Sequence, residues 1–289
     1  MPRARERRQS RLREGEFAKY HALGNDYLVI DAERFGTKLT RARVRSFCTR
    51  HTGAGSDGLL ALAPSSRANF ALRIFNPDGS EAEKSGNGVR ILARFLRDFG
   101  YTRRTRFSIE TKGGVVHAEL SSRRDAAGPI SVDMGKVTFW SHKIPVSGPR
   151  REVVNEKLRV GSRVLRATCL SIGNPHCVIF ERELGVRELQ RLGALIEHHP
   201  MFPKRSNVQF VRVATRKRLE ALIWERGAGE TQASGSSACA IAAAAYRNGL
   251  ADRRVQVQMP GGKLSIEIGD DLTVRMTGPA TPVYRGIVL

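Results

Sequence analysis

Short stretches in which apolar and polar side chains alternate recur along the chain, at Phe17 to Tyr20, Tyr27 to Asp31, Asn69 to Phe75 and Arg106 to Thr111. Each is bounded by Gly, Asn or Asp. A period of two sends successive side chains to opposite faces, so these segments predict half-buried strands and a β-rich chain. Two segments break that pattern. In Gly86 to Phe99 the residues Val89, Leu92, Ala93 and Leu96 recur at helical spacing, and Ser236 to Arg247 is nearly all small or apolar. Both predict buried helices. Gly100 follows the first, and Asn248 with Gly249 closes the second, as helix stops do. A third helix is expected from Arg187 to His198.

The chain repeats itself. Gly24-Asn25 recurs as Gly173-Asn174 (174 − 25 = 149), Ser85-Gly86 as Ser234-Gly235 (234 − 85 = 149), and Gly113-Gly114 as Gly261-Gly262 (262 − 114 = 148). The offsets agree to within one residue, so each half carries a Gly-Asn turn, a Ser-Gly opening a helix, and a Gly-Gly hairpin. The expected class is α+β, with two pseudo-symmetric lobes, each a β-rich sheet or barrel around a central helix. The expected division is a basic tail over 1–14, a first lobe over 15–125 and a second over 126–277. Ser122 to Gly128 is the expected linker, and 278–289 returns to the first lobe.

Composition narrows the function classes. With 40% hydrophobic and 27% charged residues, the 289-residue chain reads as an ordinary soluble protein, without an apolar run that would cross a bilayer. Met1 to Glu14 holds six arginines and two glutamates but no apolar signal segment, so a solvated tail and a cytoplasmic location are expected. The tail contributes 6 − 2 = +4 of the net charge of +21, leaving +17 spread as single arginines. Diffuse charge without an RNA- or DNA-binding motif argues against a nucleic-acid partner. Cys48, Cys169, Cys177 and Cys239 match neither a zinc template nor a disulfide framework, and no metal or cofactor site is expected.

Each half sets a polar, Gly-rich loop before its helix: Phe75 to Glu81 in the first, Glu225 to Thr231 in the second. The free N–H groups of a helix N-terminus suit a carboxylate, and glycine lets the backbone approach it. Taken singly, Ser85 and Ser234 are more simply N-caps. As a pair, like groups in two related lobes suit inversion at a carbon, where one group removes a proton from one face and its counterpart supplies the other.

At these residues the chain resembles the diaminopimelate epimerase family. The likeness runs in order through Leu23 to Tyr27, His51 to Gly58, Phe75 to Ser80, Ser85 to Arg90, Gly173 to His176, Asn207 to Phe210 and Glu225 to Thr231. It implies cofactor-independent interconversion of LL- and meso-diaminopimelate, and it allows a homodimer. By the resemblance, Asn25, Asn76, Asn174 and Asn207 hold the substrate's polar ends, and Glu225-Arg226 binds its distal amino-acid group. Gly86-Asn87 and Gly235-Ser236 offer N–H groups to the reacting carboxylate, while His176 and Glu225 orient the two proton-transfer positions.

Those two positions are cysteines in the family and are Ser85 and Ser234 here. A thiol can be ionised near neutral pH at a helix N-terminus, whereas a serine hydroxyl needs a neighbouring base. Three readings stay open: an epimerase running on serines, a related racemase or dehydratase acting on another amino acid, and a non-catalytic amino-acid-binding paralogue. Cys177 and Cys239 are expected to be packing residues.

Overall fold

A computed structural model describes residues 11–121 and 128–288. Residues 1–10 of the expected tail and 122–127 of the expected linker lie outside the described residues. The chain forms two compact units, one running to Val132 and resuming at Pro279, the other spanning Asp133–Gly278. The described end of the expected tail is anchored, although Arg11, Arg13 and Glu14 stay exposed. Leu12 is fully buried, the Arg13 N–H donates to the Glu16 carboxylate, and the Arg11 guanidinium stacks on the Tyr101 ring. An apolar side chain between two arginines gains by burial even where its neighbours reach solvent.

The first unit is built on β1 (Glu16–Ala22), β2 (Asn25–Asp31), β3 (Leu59–Ala63), β4 (Phe70–Phe75), β5 (Glu81–Ala82), β6 (Arg106–Thr111), β7 (Gly114–Leu120), β8 (Ile130–Lys136) and β18 (Thr281–Ile287). Hydrogen bonding orders the sheet β18-β1-β2-β3-β4-β6-β7-β8, with β5 paired to β4. The β2–β3 and β4–β6 pairs are parallel, and the rest are antiparallel. Leu23 and Gly24 both have positive φ (57° and 88°) in the two-residue β1–β2 turn, which is why glycine stands there. The helix α2 (Gly86–Asp98) packs against β1, β2 and β7 and is buried from Gly86 to Leu96. The division between the units falls inside β8, whose Ile130 to Leu120 and Val132 to Ala118 pairings join it to β7.

The second unit repeats the first. Its strands are β9 (Glu156–Val160), β10 (Arg163–Ser171), β11 (Pro175–Phe180), β12 (Asn207–Thr215), β13 (Arg218–Glu225), β14 (Gly229–Thr231), β15 (Arg254–Met259), β16 (Gly262–Ile268) and β17 (Thr273–Gly278). The parallel pairs recur as β11–β12 and β13–β15. The central helix is α4 (Gly235–Arg247), which has the same 13 residues as α2 and begins 149 positions later (235 − 86). Registers agree: Phe75 pairs with Glu81 as Trp224 pairs with Glu230. The third expected helix is α3 (Val186–Glu197), whose Leu189, Leu192 and Ile196 join the core. Its counterpart in the first unit, α1 (Arg41–Cys48), was not expected; it is capped by Thr40 and buries Val44 and Cys48. Cys169, Cys177 and Cys239 form no disulfide and are fully buried, so they pack. Among the described residues no helix is long and apolar enough to cross a membrane.

Candidate active site

In the first lobe, Ser85 caps α2 from an extended backbone, and its hydroxyl accepts the Gly88 N–H at 3.0 Å. The N–H groups of Gly86 and Asn87 open the helix, where no acceptor exists one turn back. The Asn87 amide donates to Asn25 Oδ1 at 3.0 Å and accepts from the Arg90 guanidinium at 2.8 Å. Asn25 in turn donates to Asp57 Oδ2 at 3.0 Å, and Arg50 bridges Asp57 and Asp26 at 2.7 and 2.9 Å. The α2 cap is thus tied to the β1–β2 turn. Asn76 is exposed at the end of β4, with its amide donating to Ser80 Oγ at 2.9 Å. A Cβ on Gly88 would stand 3.0 Å from Leu60 Cδ2, so the leucine tip would have to give by a few tenths of an ångström.

The second lobe repeats the frame with different chemistry. Ser234 caps α4 and accepts the Ser237 N–H at 3.4 Å. Burial raises the pKa of the Glu225 carboxyl, an effect the neighbouring Ser234 hydroxyl only partly offsets. Asn174 directs its amide at Ser236 Oγ (3.5 Å), as Asn25 pairs with Asn87. His176 is fully buried, with Nε2 2.9 Å from Asn174 Oδ1 and Nδ1 3.0 Å from Gln209 Nε2. Burial, reinforced by the nearby Arg226 charge, pushes its pKa down to about 3, so the ring is neutral. The Asn207 amide donates to Pro175 O at 2.8 Å and accepts the Arg226 N–H at 3.0 Å, while the Arg226 side chain donates to Lys204 O. Gly235 and Ser236 open α4 as Gly86 and Asn87 open α2.

The family model for diaminopimelate epimerase matches residues 17–140 and 168–283. The chain belongs to the diaminopimelate epimerase family. "Diaminopimelate epimerase 2" of Nostoc sp. is 48% identical over 273 residues, 94% of either chain. The diaminopimelate epimerase of Pelotomaculum thermopropionicum is 43% identical, covering 93% of this chain and 97% of its own. The fold is also that of a hydroxyproline epimerase from Agrobacterium vitis, at 17% identity and a TM-score of 0.71, covering 94% of this chain and 92% of that one.

Several residues that organise this family member's candidate site were missed in its sequence. Gln209 lay inside the quoted Asn207 to Phe210 motif, and Asp57 inside His51 to Gly58, but neither type at that spacing announces a partner. Glu197 gave no signal. It ends α3, buried, and accepts both the Trp224 indole N–H (2.8 Å) and the Gly227 N–H (2.9 Å), so it holds the loop that follows Glu225. Arg90 is fully buried beside Asn87, where an arginine at a helical core position would be expected to reach solvent.

Proposed function

We propose that this chain binds diaminopimelate and moves the hydrogen at its α-carbon, interconverting the LL and meso forms without a cofactor. The observation that carries the reading is the pair of equivalent serine-capped helices, each opening with small or amide residues on free N–H groups. Such a terminus suits the α-carboxylate, and it stabilises the negative charge that gathers there when the α-proton leaves. In this reading Asn25, Asn76, Asn174 and Asn207 set the polar ends of the substrate, and Arg226 takes the distal carboxylate.

The test is incubation with LL- and meso-diaminopimelate in D2O, with NMR following the α-hydrogens and chiral chromatography the two forms. Deuterium incorporation with appearance of the second form supports the reading. The hydroxyls at both caps favour a second reading, binding without turnover, because an alcohol is a poor proton carrier. Calorimetric binding of diaminopimelate with no exchange of its α-hydrogen would establish that alternative.

A further inference from the structure

Three fully buried polar side chains meet inside the second lobe: Gln209 Nε2 lies 3.0 Å from His176 Nδ1 and 3.1 Å from Ser237 Oγ. The repeat shows what the frame itself requires at two of these places. Val178 pairs with Gln209 in the parallel β11–β12 register as Val29 pairs with Leu60 in β2–β3, so Leu60 is the equivalent of Gln209 (209 − 60 = 149). Counted from the two helix starts, Gly88 is the equivalent of Ser237 (237 − 88 = 149). It lies against Leu60 as Ser237 lies against Gln209. A leucine and a glycine thus complete the first lobe. An amide and a hydroxyl buried at the same places carry a desolvation cost that leucine avoids, so packing does not require them.

Their hydrogen bonds run in one direction. Both hydrogens of Gln209 Nε2 are used, on His176 Nδ1 and Ser237 Oγ, which agrees with Gln209 Oε1 being the buried side-chain atom without a partner among the described residues. A neutral imidazole has one donor and one acceptor. With Nδ1 accepting from Gln209, the ring proton lies on Nε2, which donates to Asn174 Oδ1 at 2.9 Å. Its oxygen occupied, Asn174 turns its amide nitrogen to Ser236 Oγ, 3.5 Å away in the first turn of α4. The equivalent Asn25 is turned the other way. Asp57 takes its amide N–H, and its oxygen accepts from Asn87, the equivalent of Ser236 (236 − 87 = 149).

We propose that Gln209 is a positioning residue: it holds His176 as the Nε2–H tautomer and, through that ring, turns the Asn174 amide so that an N–H rather than an oxygen is offered to a substrate carboxylate at the start of α4. The inference rests on the diaminopimelate reading above. With the proton on Nδ1 the chain would run backwards. His176 Nε2 would then accept from the Asn174 nitrogen, and the Asn174 oxygen would face the carboxylate and repel it. Gln209 touches no substrate in this arrangement and acts only through His176.

The experiment uses the full chain carrying 15N-labelled histidine. Long-range proton–nitrogen NMR at pH 7, with the His176 resonances assigned by their absence from His176→Gln, should show one neutral ring protonated on Nε2. Gln209→Met keeps the side chain's length and removes its N–H. It should give a mixture of tautomers and weaken calorimetric binding of diaminopimelate on the order of tenfold. Where the chain turns over, KM should rise by the same factor and kcat should change far less. A ring protonated on Nδ1, or on both nitrogens, in the unaltered chain overturns the proposal and needs no variant. A Gln209→Met protein with a lower melting temperature but the parental tautomer and affinity overturns it as well, because Gln209 would then only pack. If the unaltered chain does not bind diaminopimelate, the substrate reading falls, and the spectrum still decides whether Gln209 sets the tautomer.

Discussion

Glu225 at the end of β13 and Asn76 at the end of β4 hold equivalent places in the two lobes, since Trp224 pairs with Glu230 as Phe75 pairs with Glu81, so the first lobe has an amide where the second has a carboxylate. The two caps share a backbone, with φ −140° in both and ψ 117° and 127°. The serine-capped helix start is therefore duplicated, and the carboxylate beside it is not. This asymmetry lives in one side chain per lobe, outside the helices themselves.

Restoring thiols tests the caps. Ser85→Cys with Ser234→Cys should raise α-hydrogen exchange, since a thiol with a reference pKa of about 8.5 is lowered further at a helix N-terminus. The same NMR assay in D2O reads the gain. Ser85→Ala should cost about 1 kcal/mol of stability by urea unfolding, because the Gly88 N–H loses its acceptor.

His176 should make the protein acid-sensitive. Its folded pKa of about 3 lies below the ordinary 6.5, so its stabilising effect is complete above pH 6.5 and is lost as pH falls from 6.5 towards 3. The full loss is on the order of 5 kcal/mol. Unfolding free energies measured across that window should flatten in His176→Gln. If the slope is unchanged in the variant, His176 is not the titrating group.

Glu225 has the opposite sign. Its folded pKa is raised, so its contribution to stability is greatest at low pH and falls as pH rises through the folded value. Glu225→Gln should therefore gain thermal stability relative to the parent at pH 8 and lose that advantage at pH 4. A melting-temperature difference that does not depend on pH would contradict the assignment.

Gly193 of α3 lies against Trp224, and a Cβ there would stand 2.7 Å from the ring. Gly193→Ala should cost about 1–3 kcal/mol through overpacking. It should also shift Trp224 fluorescence, because the ring is anchored to Glu197. Substrate affinity should fall with it, as the same glutamate holds the loop that follows Glu225.

Asp57→Ala should act on KM more than on stability. Asp57 fixes the Asn25 amide and the Asp26 N–H, but its ion pair with Arg50 is exposed and is worth less than about 1 kcal/mol. A rise in KM with a near-parental melting temperature is the expected outcome.

Much of this protein was legible before any coordinates. The 149-residue offset marked the two lobes, the helical spacing marked α2, α3 and α4 to within a residue or two, and the ordered motifs marked the family. These are local signals: periodicity, stop residues and caps act within a few positions of one another. The sequence was silent on α1, which has eight residues and buries only Val44 and Cys48, too few to show a period. It was also silent on who touches whom. Gln209 reaches His176 across 33 positions and Glu197 reaches Gly227 across 30, because parallel pairing of β11 with β12 and packing of α3 on β13 bring them together. The resemblance gave His176 and Glu225 the same orienting role. Burial and hydrogen-bond geometry separate them, since a protonation state depends on what surrounds a group, and only the folded chain supplies those surroundings.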